Sequence, residues 1–190
     1  FMPYKVLEVY GAEADDIIYT LTHEFKANSE KTLILSGDKD FIQLQKYKNV
    51  TQYSPITKKF IDGMVWNEYL EEHILKGDTS DGVPNVLSPD NTFVDGLRQR
   101  PLGKKKIASW VDHASAMGWC RNIEGVLPND EVKRNFQRNK KLIDLTEAPQ
   151  ELFSEITKTW EEAKINPRSK LLNYFIQNRL NDLMDCIGDF

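Results

Sequence analysis

The sequence contains little cysteine and no long apolar run. Its two cysteines, Cys120 and Cys186, stand far apart without C-x-x-C spacing, a pattern that argues against a zinc site or a disulfide framework. No apolar stretch approaches the roughly 18 residues that a membrane helix requires. We therefore expect a soluble protein of a reducing, cytoplasmic compartment.

Signatures of several enzyme classes are also missing. There is no G-x-S-x-G, no P-loop and no G-x-G-x-x-G, so serine hydrolases and nucleotide-binding folds find no support. The three histidines, His23, His73 and His113, have no acidic or nucleophilic partner at a suggestive spacing, and we interpret them as structural. The N-terminal residues FMPYKVLEVY have neither a charged region nor a long apolar stretch, so they do not resemble a signal peptide.

Positive charge is concentrated in two places although the formal net charge is −4. Residues 98–106 (RQRPLGKKK) carry five positive and no negative charges, and residues 133–141 (KRNFQRNKK) form a second basic run. Acidic residues gather instead at 13–16, 38–40 and 78–81. An acidic pocket beside basic tracks is the charge pattern expected of a protein that handles nucleic-acid phosphates.

The beginning of the chain has the pattern of an α/β fold. Residues 5–10 (KVLEVY) predict a short strand, Glu13–Phe25 predict a helix, and residues 32–36 (TLILS) predict a strand covered on both faces. Strand, helix and strand in this order form a βαβ unit, which predicts a mostly parallel sheet. A short helix over 41–47 and two short strands around the Ser54–Pro55 turn are predicted next.

The rest of the chain is predicted to be largely helical. Residues 66–77 (WNEYLEEHILKG) have helical spacing with Gly77 as a C-terminal stop, and residues 104–119 and 170–190 have it as well. We therefore divide the chain into an α/β domain and a helical region. The predicted ranges are 1–65 for the α/β part and 66–190 for the helical region, with C-terminal helices over 130–190.

Three acidic motifs are expected to converge. Two of them follow predicted strands, and ligands in open α/β sheets lie outside the carboxyl ends of strands; the third lies on a turn after a helix. Two carboxylates about 4 Å apart repel by about 4 kcal/mol at an effective dielectric near 20, unless a cation lies between them. Oxygen donors without His or Cys favour Mg²⁺ or Mn²⁺, and two such ions support phosphodiester hydrolysis. The candidate metal ligands are Glu13, Asp15, Asp16, Asp38, Asp40, Asp78 and Asp81.

Each motif taken alone also has a structural explanation. An E-x-D-D run at a helix start serves in N-terminal capping, D-x-D after a strand fits a solvated turn, and Asp81–Gly82 fits a loop turn. The metal interpretation depends on all three motifs occurring in this order.

Three stretches carry a resemblance to a known family. GAEADDII (11–18), ILSGDKDFIQL (34–44) and ILKGDTSDGVPNV (74–86) resemble consecutive motifs of the structure-specific 5′-nuclease family, which includes flap endonucleases and the 5′-nuclease domain of bacterial DNA polymerase I. Within it, the chain is most similar to the ribonuclease H branch of T-even-type bacteriophages, 5′ to 3′ exonucleases and flap endonucleases that remove RNA primers. The resemblance spans nearly the whole chain and is loose between residues 85 and 135.

The resemblance implies roles for the acidic residues. Asp15 would be a direct metal ligand, with Glu13 and Asp16 in the same motif. Asp38 would serve the first ion, and Asp40 would serve the second together with the pair on the later turn. The implied catalytic residues are Asp15, Asp38, Asp40 and Asp81.

The resemblance also implies a fold and a mode of DNA binding. The chain would have a PIN-like 5′-nuclease core, then a helix-two-turn-helix-like segment over 66–118 that grips the duplex backbone. Where relatives have a compact G-x-G turn and often a monovalent cation, this chain inserts a longer stretch before PLGKKK, which weakens the case for that cation. The implied phosphate contacts are Lys104, Lys105, Lys106, Arg98 and Arg100.

The family's N-terminal third has no counterpart in these residues. It supplies two further aspartates, a basic residue at the scissile phosphate and an arch for the 5′ strand. We therefore interpret the chain as the C-terminal part of such a nuclease, inactive by itself.

The predicted function is a Mg²⁺-dependent 5′ nuclease acting on RNA primers and on DNA 5′ ends and flaps at replication forks. The resemblance further implies a monomer in a phage-infected bacterial cell, with the C-terminal helices meeting a single-stranded-DNA-binding protein. Two alternatives stay open: a non-catalytic DNA-binding or partner-docking module, and a PIN-like ribonuclease acting on single-stranded RNA.

Overall fold

The computed structural model describes residues 3–25, 31–116 and 122–189. These residues fall into two compact units, one formed by Phe1–Thr20 with Gln150–Phe190 and the other by Leu21–Pro149. The predicted division at residue 65 concerns functional domains and stays a prediction. In the part of the chain that the structure describes, no helix is both long and apolar enough to cross a membrane.

A small mixed sheet lies in the larger unit. Strand β1 (Thr32–Leu35) pairs in parallel with β2 (Val50–Ser54), and β2 pairs antiparallel with the two-residue strand β3 (Lys59–Phe60). The three strands and the turn after Ser54 are therefore where the sequence predicts them. The sheet is not mostly parallel, because the short connection between β2 and β3 can only join antiparallel strands.

Two expectations about the sheet are wrong for the described residues. Residues 5–9 alternate in exposure as a strand would, but they form no strand, which requires a hydrogen-bonded neighbour. Strand β1 is covered on one face only: Ile34 is buried, whereas Leu33 and Leu35 are 53% and 65% exposed. A continuous apolar run thus marks a strand here without marking burial on both faces.

Helices are the main regular structure of the larger unit. A 3₁₀ helix (Lys39–Lys46) follows β1, and helix α2 (Trp66–Lys76) packs against it and against helix α5 (Asp130–Ile143). Helix α3 (Lys104–Ala116) packs against the short α4 (Ile123–Val126), and a 3₁₀ turn, Leu145–Glu147, follows α5. The buried core comprises Ile74, Leu75, Val83, Val86, Ile107, Trp110, Ala114, Ile123, Leu127, Val132, Phe136 and Ile143.

The predicted helices at 66–77 and 104–119 are confirmed within the described residues. Helix α2 ends at Gly77, whose N–H donates to the carbonyl of His73 at 2.8 Å. Helix α3 is described as far as Ala116; the predicted continuation to 119 and Cys120 lie outside the described residues.

The smaller unit is helical. It contains the start of α1 (Ala14–Phe25), together with α6 (Gln150–Glu162), α7 (Leu171–Gln177) and α8 (Asn181–Asp185). Single 3₁₀ turns at Arg168–Lys170 and Ile187–Asp189 complete it. Its buried apolar side chains are Val9, Tyr19, Ile156, Leu171 and Phe175.

The helical spacing after Lys170 does not correspond to one continuous helix. The chain breaks between α7 and α8, where Arg179 has a φ of 56°. That left-handed conformation is incompatible with a continuing right-handed helix. Helix α7 buries Leu171 and Phe175, whereas α8 buries none of its residues.

Candidate metal centre

Asp38 and Asp40 lie on a tightly bonded turn that follows β1. The backbone N–H of Asp38 donates to Ser36 Oγ at 3.1 Å, and the Asp38 carboxylate accepts the N–H of Asp40 at 3.0 Å. Asp38 is thereby the N-cap of the 3₁₀ helix Lys39–Lys46. The two carboxylates are held at the start of a helix, as an N-terminal dipole favours.

Gln52 fixes this turn from the neighbouring strand. It lies in the middle of β2, is 1% exposed, and its side-chain amide donates to the carbonyl oxygen of Ser36 at 3.0 Å and to that of Asp38. One buried amide therefore holds the backbone on both sides of Gly37. A Cβ at Gly37 would lie 3.1 Å from Ser54 Oγ, so the turn also sits close to the end of β2.

Asp78 and Asp81 lie on a second turn, directly after α2. Asp78 Oδ1 accepts hydrogen bonds from the Ser80 N–H at 2.8 Å, from the Ser80 hydroxyl and from the Asp81 N–H at 3.4 Å. Asp78 also forms an antiparallel bridge with Val83. The Asp78 side chain organises the turn on which Asp81 is presented, as an aspartate at the first position of a turn commonly does.

The two turns meet in the larger unit. One carboxylate oxygen from each of Asp40, Asp78 and Asp81 lies within 4.8 Å of the others. The side chains of Asp40 and Asp78 are 20% and 22% exposed, and Asp81 is exposed. Three aspartates drawn from two distant segments thus form an oxygen-rich cluster that is open to solvent on one side, a donor set suited to a hard divalent cation.

The titration of the cluster reflects its crowding. The pKa of Asp40 is raised to about 6: burial is the largest cause, His73 opposes it, and the charges of Asp38, Asp78 and Asp81 add to it. Burial also raises the pKa of the nearby Tyr69 to about 12, with Asp40 as the next cause. Negative charge on Asp40 is therefore unfavourable in the protein alone and would be favoured by a bound cation.

Asp78 behaves differently from Asp40. Burial acts to raise its pKa, but the hydrogen bonds from Ser80, His73 and the Asp81 N–H outweigh burial, so the pKa of Asp78 is lowered. Asp78 therefore stays ionised more readily than Asp40.

His73 is a site residue that the sequence did not indicate. Its Nε2 lies 3.1 Å from Asp78 Oδ2 and its Nδ1 lies 3.3 Å from Asp40 Oδ1, so the interpretation that it lacks an acidic partner is wrong. The sequence does not reveal these contacts, because Asp40 lies far upstream of His73 and Asp78 comes near His73 only because the helix ends at Gly77. A histidine in the last turn before an acidic turn is the pattern that could have suggested it.

The earlier acidic motif lies at the start of α1, in the smaller unit. Asp16 Oδ2 accepts the N–H of Glu13 at 3.0 Å, which is a capping interaction, and Asp15 is half-buried. The assignment of Glu13, Asp15 and Asp16 to a metal site stays a prediction.

The residues predicted to contact phosphates differ in whether they already have a partner within the protein. Arg100 pairs with Glu131 at 3.3 Å, and the ammonium of Lys106 lies 5.2 Å from the centre of the Trp110 ring. Arg98, Lys104 and Lys105 are exposed and form no ion pair with a described residue. The last two stand in the first turn of α3, which contains no acidic residue.

The loop after Asp81 is held by polar side chains of α5. Asn135 donates to the carbonyls of Val86 and Ser88, and Asn139 donates to those of Ile74 and Pro84, all at 2.8 to 3.2 Å. Arg138 adds a bond to the Pro84 carbonyl at 2.8 Å and an ion pair with Asp90. These carbonyls are already occupied by donors from the protein, and a monovalent cation in this segment stays a prediction.

Comparisons with known proteins cover the whole chain. The family model described as "T4 RNase H, C terminal" matches residues 68–190, and the one described as "5′-3′ exonuclease, N-terminal resolvase-like domain" matches residues 1–74. Ribonuclease H of Enterobacteria phage T4 is 33% identical over 195 aligned positions, which cover 100% of this chain and 62% of that protein. A 5′-3′ exonuclease of Buchnera aphidicola is 37% identical over 89 positions, 43% of this chain and 31% of that protein. DNA polymerase I of Mycobacterium tuberculosis is 26% identical over 159 positions, 74% of this chain and 16% of that protein.

Solved structures support the fold. The T5 D15 protein, co-crystallised with metal ions, matches with a TM-score of 0.54 and 16% identity over 80% of this chain and 60% of that chain. A mutant of the T5 5′-exonuclease matches with a TM-score of 0.52 and 16% identity over 80% of this chain and 66% of that chain. The chain spans less than two thirds of the length of the curated relatives it matches. The predicted family is confirmed: the chain belongs to the T4 ribonuclease H family of 5′-3′ exonucleases.

Proposed function

We propose that this chain contributes the acidic cluster of a Mg²⁺-dependent 5′ to 3′ exonuclease and flap endonuclease. The observation that carries the proposal is the meeting of Asp40, Asp78 and Asp81, with one oxygen of each within 4.8 Å of the others. Membership of an exonuclease family adds the reaction class, since phosphodiester hydrolysis by clustered carboxylates depends on divalent cations.

The residues present fit a divalent cation. All three donors are carboxylate oxygens, and a bound cation would favour the ionised form of Asp40, which burial and the neighbouring carboxylates disfavour. Asp40, Asp78 and Asp81 would hold one ion and Asp38 would serve another. Asp15, with Glu13 and Asp16, remains assigned by family resemblance. Mn²⁺ is expected to substitute for Mg²⁺ because both accept oxygen donors.

A two-metal mechanism gives these residues their roles. A bound divalent cation lowers the pKa of a coordinated water and stabilises the leaving oxygen of a phosphodiester. Asp78 presents Asp81 through its turn, and Gln52 holds the turn of Asp38 and Asp40 so that the carboxylates face the same point. Because the turns already hold the carboxylates in place, the site does not need to reorganise when the substrate binds.

The nucleic acid is proposed to lie across α2, the following loop and α3, the helix-two-turn-helix-like segment 66–118. The exposed ammonium groups of Lys104 and Lys105 at the start of α3 would meet backbone phosphates, and Arg98 would add a third charge. Lys106 and Arg100 would contribute less, because each already has a partner within the protein.

Substrates and partners follow from the proposed family role. The substrates would be RNA primers and DNA duplexes with 5′ ends or flaps at replication forks, and the protein would act as a monomer. Leu172 and Ile176 of α7 are 45% and 54% exposed, which suits the contact proposed between the C-terminal helices and a single-stranded-DNA-binding protein.

The experiment compares Asp81→Asn with Asp62→Asn, expressed from the complete reading frame that encodes this chain. Asp62 is an exposed aspartate away from the cluster and serves as the matched control. We expect Asp81→Asn to reduce Mg²⁺-dependent cleavage of a 5′-flap duplex by about 100-fold or more while duplex binding is kept, and Asp62→Asn to cleave normally. Normal turnover by Asp81→Asn would refute the assignment.

Two substrates separate the alternatives. A DNA-binding or docking module predicts salt-dependent binding of the flap duplex without cleavage at any Mg²⁺ concentration. A single-strand ribonuclease predicts cleavage of unpaired RNA and none of the flap duplex. Preference for the flap duplex would support the proposed nuclease over both.

A further inference from the structure

His73 occupies the space between two of the clustered carboxylates. The ring is 13% exposed, with Nε2 3.1 Å from Asp78 Oδ2 and Nδ1 3.3 Å from Asp40 Oδ1. The contact with Asp78 has the geometry of a hydrogen bond, whereas Nδ1 is buried next to Asp40 without that alignment. The same ring thus touches the aspartate of each turn.

The ring and the backbone of His73 are each held by a neighbouring residue. Tyr69, one turn earlier on α2, packs edge to face against it with ring centres 5.5 Å apart. The carbonyl of His73 accepts the N–H of Gly77, which ends the helix and starts the turn of Asp78. The backbone and the side chain of His73 are therefore both engaged in the geometry of the second turn.

The ring also restricts which oxygens remain available. Asp78 Oδ1 is taken by Ser80 and Asp81, and Oδ2 lies against His73, so the carboxylate plane of Asp78 is held at both oxygens. Asp40 Oδ1 lies against the other ring nitrogen, Nδ1. The ring therefore contacts both carboxylates, which also approach each other, with one oxygen of each within 4.8 Å.

We infer that His73 is a positioning residue that sets the spacing and orientation of Asp40 and Asp78 and so determines how tightly the cluster binds a divalent cation. Both ring nitrogens face carboxylates, which makes it a neighbour of the ligands rather than a ligand. Partners of metal-binding carboxylates commonly affect metal affinity by about 10- to 100-fold when they are replaced. The inference rests on the proposed function, because it concerns the same cation.

The test measures Mn²⁺ binding by calorimetry and by electron paramagnetic resonance, with His73→Ala, His73→Gln and a control. We expect His73→Ala to weaken Mn²⁺ binding by about 10- to 100-fold, and His73→Gln to recover part of the loss because its amide can donate to Asp78. His113→Gln is the matched control, since His113 is an exposed histidine on α3. Adding His73→Ala to Asp81→Asn should cause little further loss, because both act on one ion.

A purely structural role makes a different prediction. It would lower the melting temperature of His73→Ala without changing the affinity for Mn²⁺, and that result would overturn the inference. If His73→Ala does not fold, His73→Gln and His73→Asn decide: wild-type affinity in both variants would overturn the inference, and weaker binding in His73→Asn than in His73→Gln would support it. If the wild-type protein binds Mn²⁺ and cleaves while the variants bind equally well, only the role of His73 falls. If the wild-type protein binds no divalent cation, the proposed function falls as well.

Discussion

At the scale of single residues, Asp40 holds a carboxylate whose negative charge is disfavoured first by burial and then by the neighbouring carboxylates. Its side chain is only 20% exposed, and three other carboxylates act on it in the same direction. The ionised form of Asp40 is disfavoured unless positive charge is nearby. The electrostatic effect of His73 opposes the rise in the pKa of Asp40. The proposed role of Asp40 in cation binding and the stability of the protein therefore make opposite demands on this residue, as is common at binding sites.

Replacing Asp40 with asparagine is expected to stabilise the metal-free protein at neutral pH. The folded pKa of about 6 lies above the ordinary 3.8, so the stability that Asp40 contributes is fully present below pH 3.8 and is lost as pH rises through 6. Asp40→Asn does not undergo this loss. Its free energy of unfolding should therefore exceed that of the wild type by at most about 3 kcal/mol at pH 7 and by little at pH 4. Urea unfolding in EDTA across this pH range is the measurement, with Asp62→Asn as control; equal pH dependence in wild type and Asp40→Asn would contradict it.

At the scale of elements, the turn after α2 depends on one glycine. Gly77 has a φ of 68°, and a Cβ there would lie 2.3 Å from the carbonyl oxygen of Val83 and 2.7 Å from the backbone of Pro84. Gly82, in the same turn, has a φ of 73° but open space where its Cβ would be. Substitutions at the two glycines therefore distinguish the cost of a left-handed φ, which both share, from the cost of a steric clash, which only Gly77 has.

Gly77→Ala is therefore expected to be far more damaging than Gly82→Ala. Gly82→Ala should cost about 1 to 2 kcal/mol for a left-handed alanine, whereas Gly77→Ala adds a backbone collision of about 1 to 3 kcal/mol. Thermal and urea unfolding of both variants gives the comparison. Similar losses in the two would show that the close approach of Val83 is not a constraint in solution.

The strand-end turn has its own dependence on Gln52. Gln52→Leu leaves the carbonyls of Ser36 and Asp38 without their buried donor and should cost about 2 to 4 kcal/mol. It should also weaken Mn²⁺ binding, because the turn carries Asp38 and Asp40. Thr51→Val, at the exposed neighbouring position of β2, is the control. A loss of stability with unchanged Mn²⁺ affinity would confine Gln52 to a structural role.

Features of the fold and of the candidate site could be predicted from the sequence only where they depend on residues that are close together along the chain. Helix α2 and its end at Gly77 follow from apolar spacing and a glycine, and β1 follows from its apolar run. The contact of His73 with Asp40 was not predictable, because it joins segments that only tertiary packing brings together. Residues 5–9 show the reverse case: the local alternation is present, but a strand also needs a neighbour that pattern alone cannot supply.

At the scale of the whole molecule, charge is separated although the net charge is negative. The acidic cluster and the basic first turn of α3 belong to the same compact unit of the chain. A net charge of −4 taken alone argues against binding to nucleic acid, whereas the separate basic runs favour it.

Neutralising Lys104 and Lys105 is expected to weaken duplex binding through its salt dependence. The slope of log affinity against log salt should fall by about 1 for each phosphate contact removed, so by about 2 in Lys104→Gln/Lys105→Gln. Lys140→Gln is the control, because Lys140 is bonded to Glu147 at 2.7 Å. Fluorescence anisotropy at several salt concentrations gives the slopes. An unchanged slope in the double variant would remove α3 from the proposed interface.

In the proposed nuclease, the turns after β1 and α2 together bind a catalytic divalent cation. The most direct measurement is anomalous diffraction at the manganese edge from crystals of the protein grown with Mn²⁺. We expect a peak within coordination distance of Asp40, Asp78 and Asp81, and its loss in Asp81→Asn crystals. Ordered density for the three aspartates with no anomalous peak between them, under conditions in which the protein cleaves a 5′ flap, would contradict it.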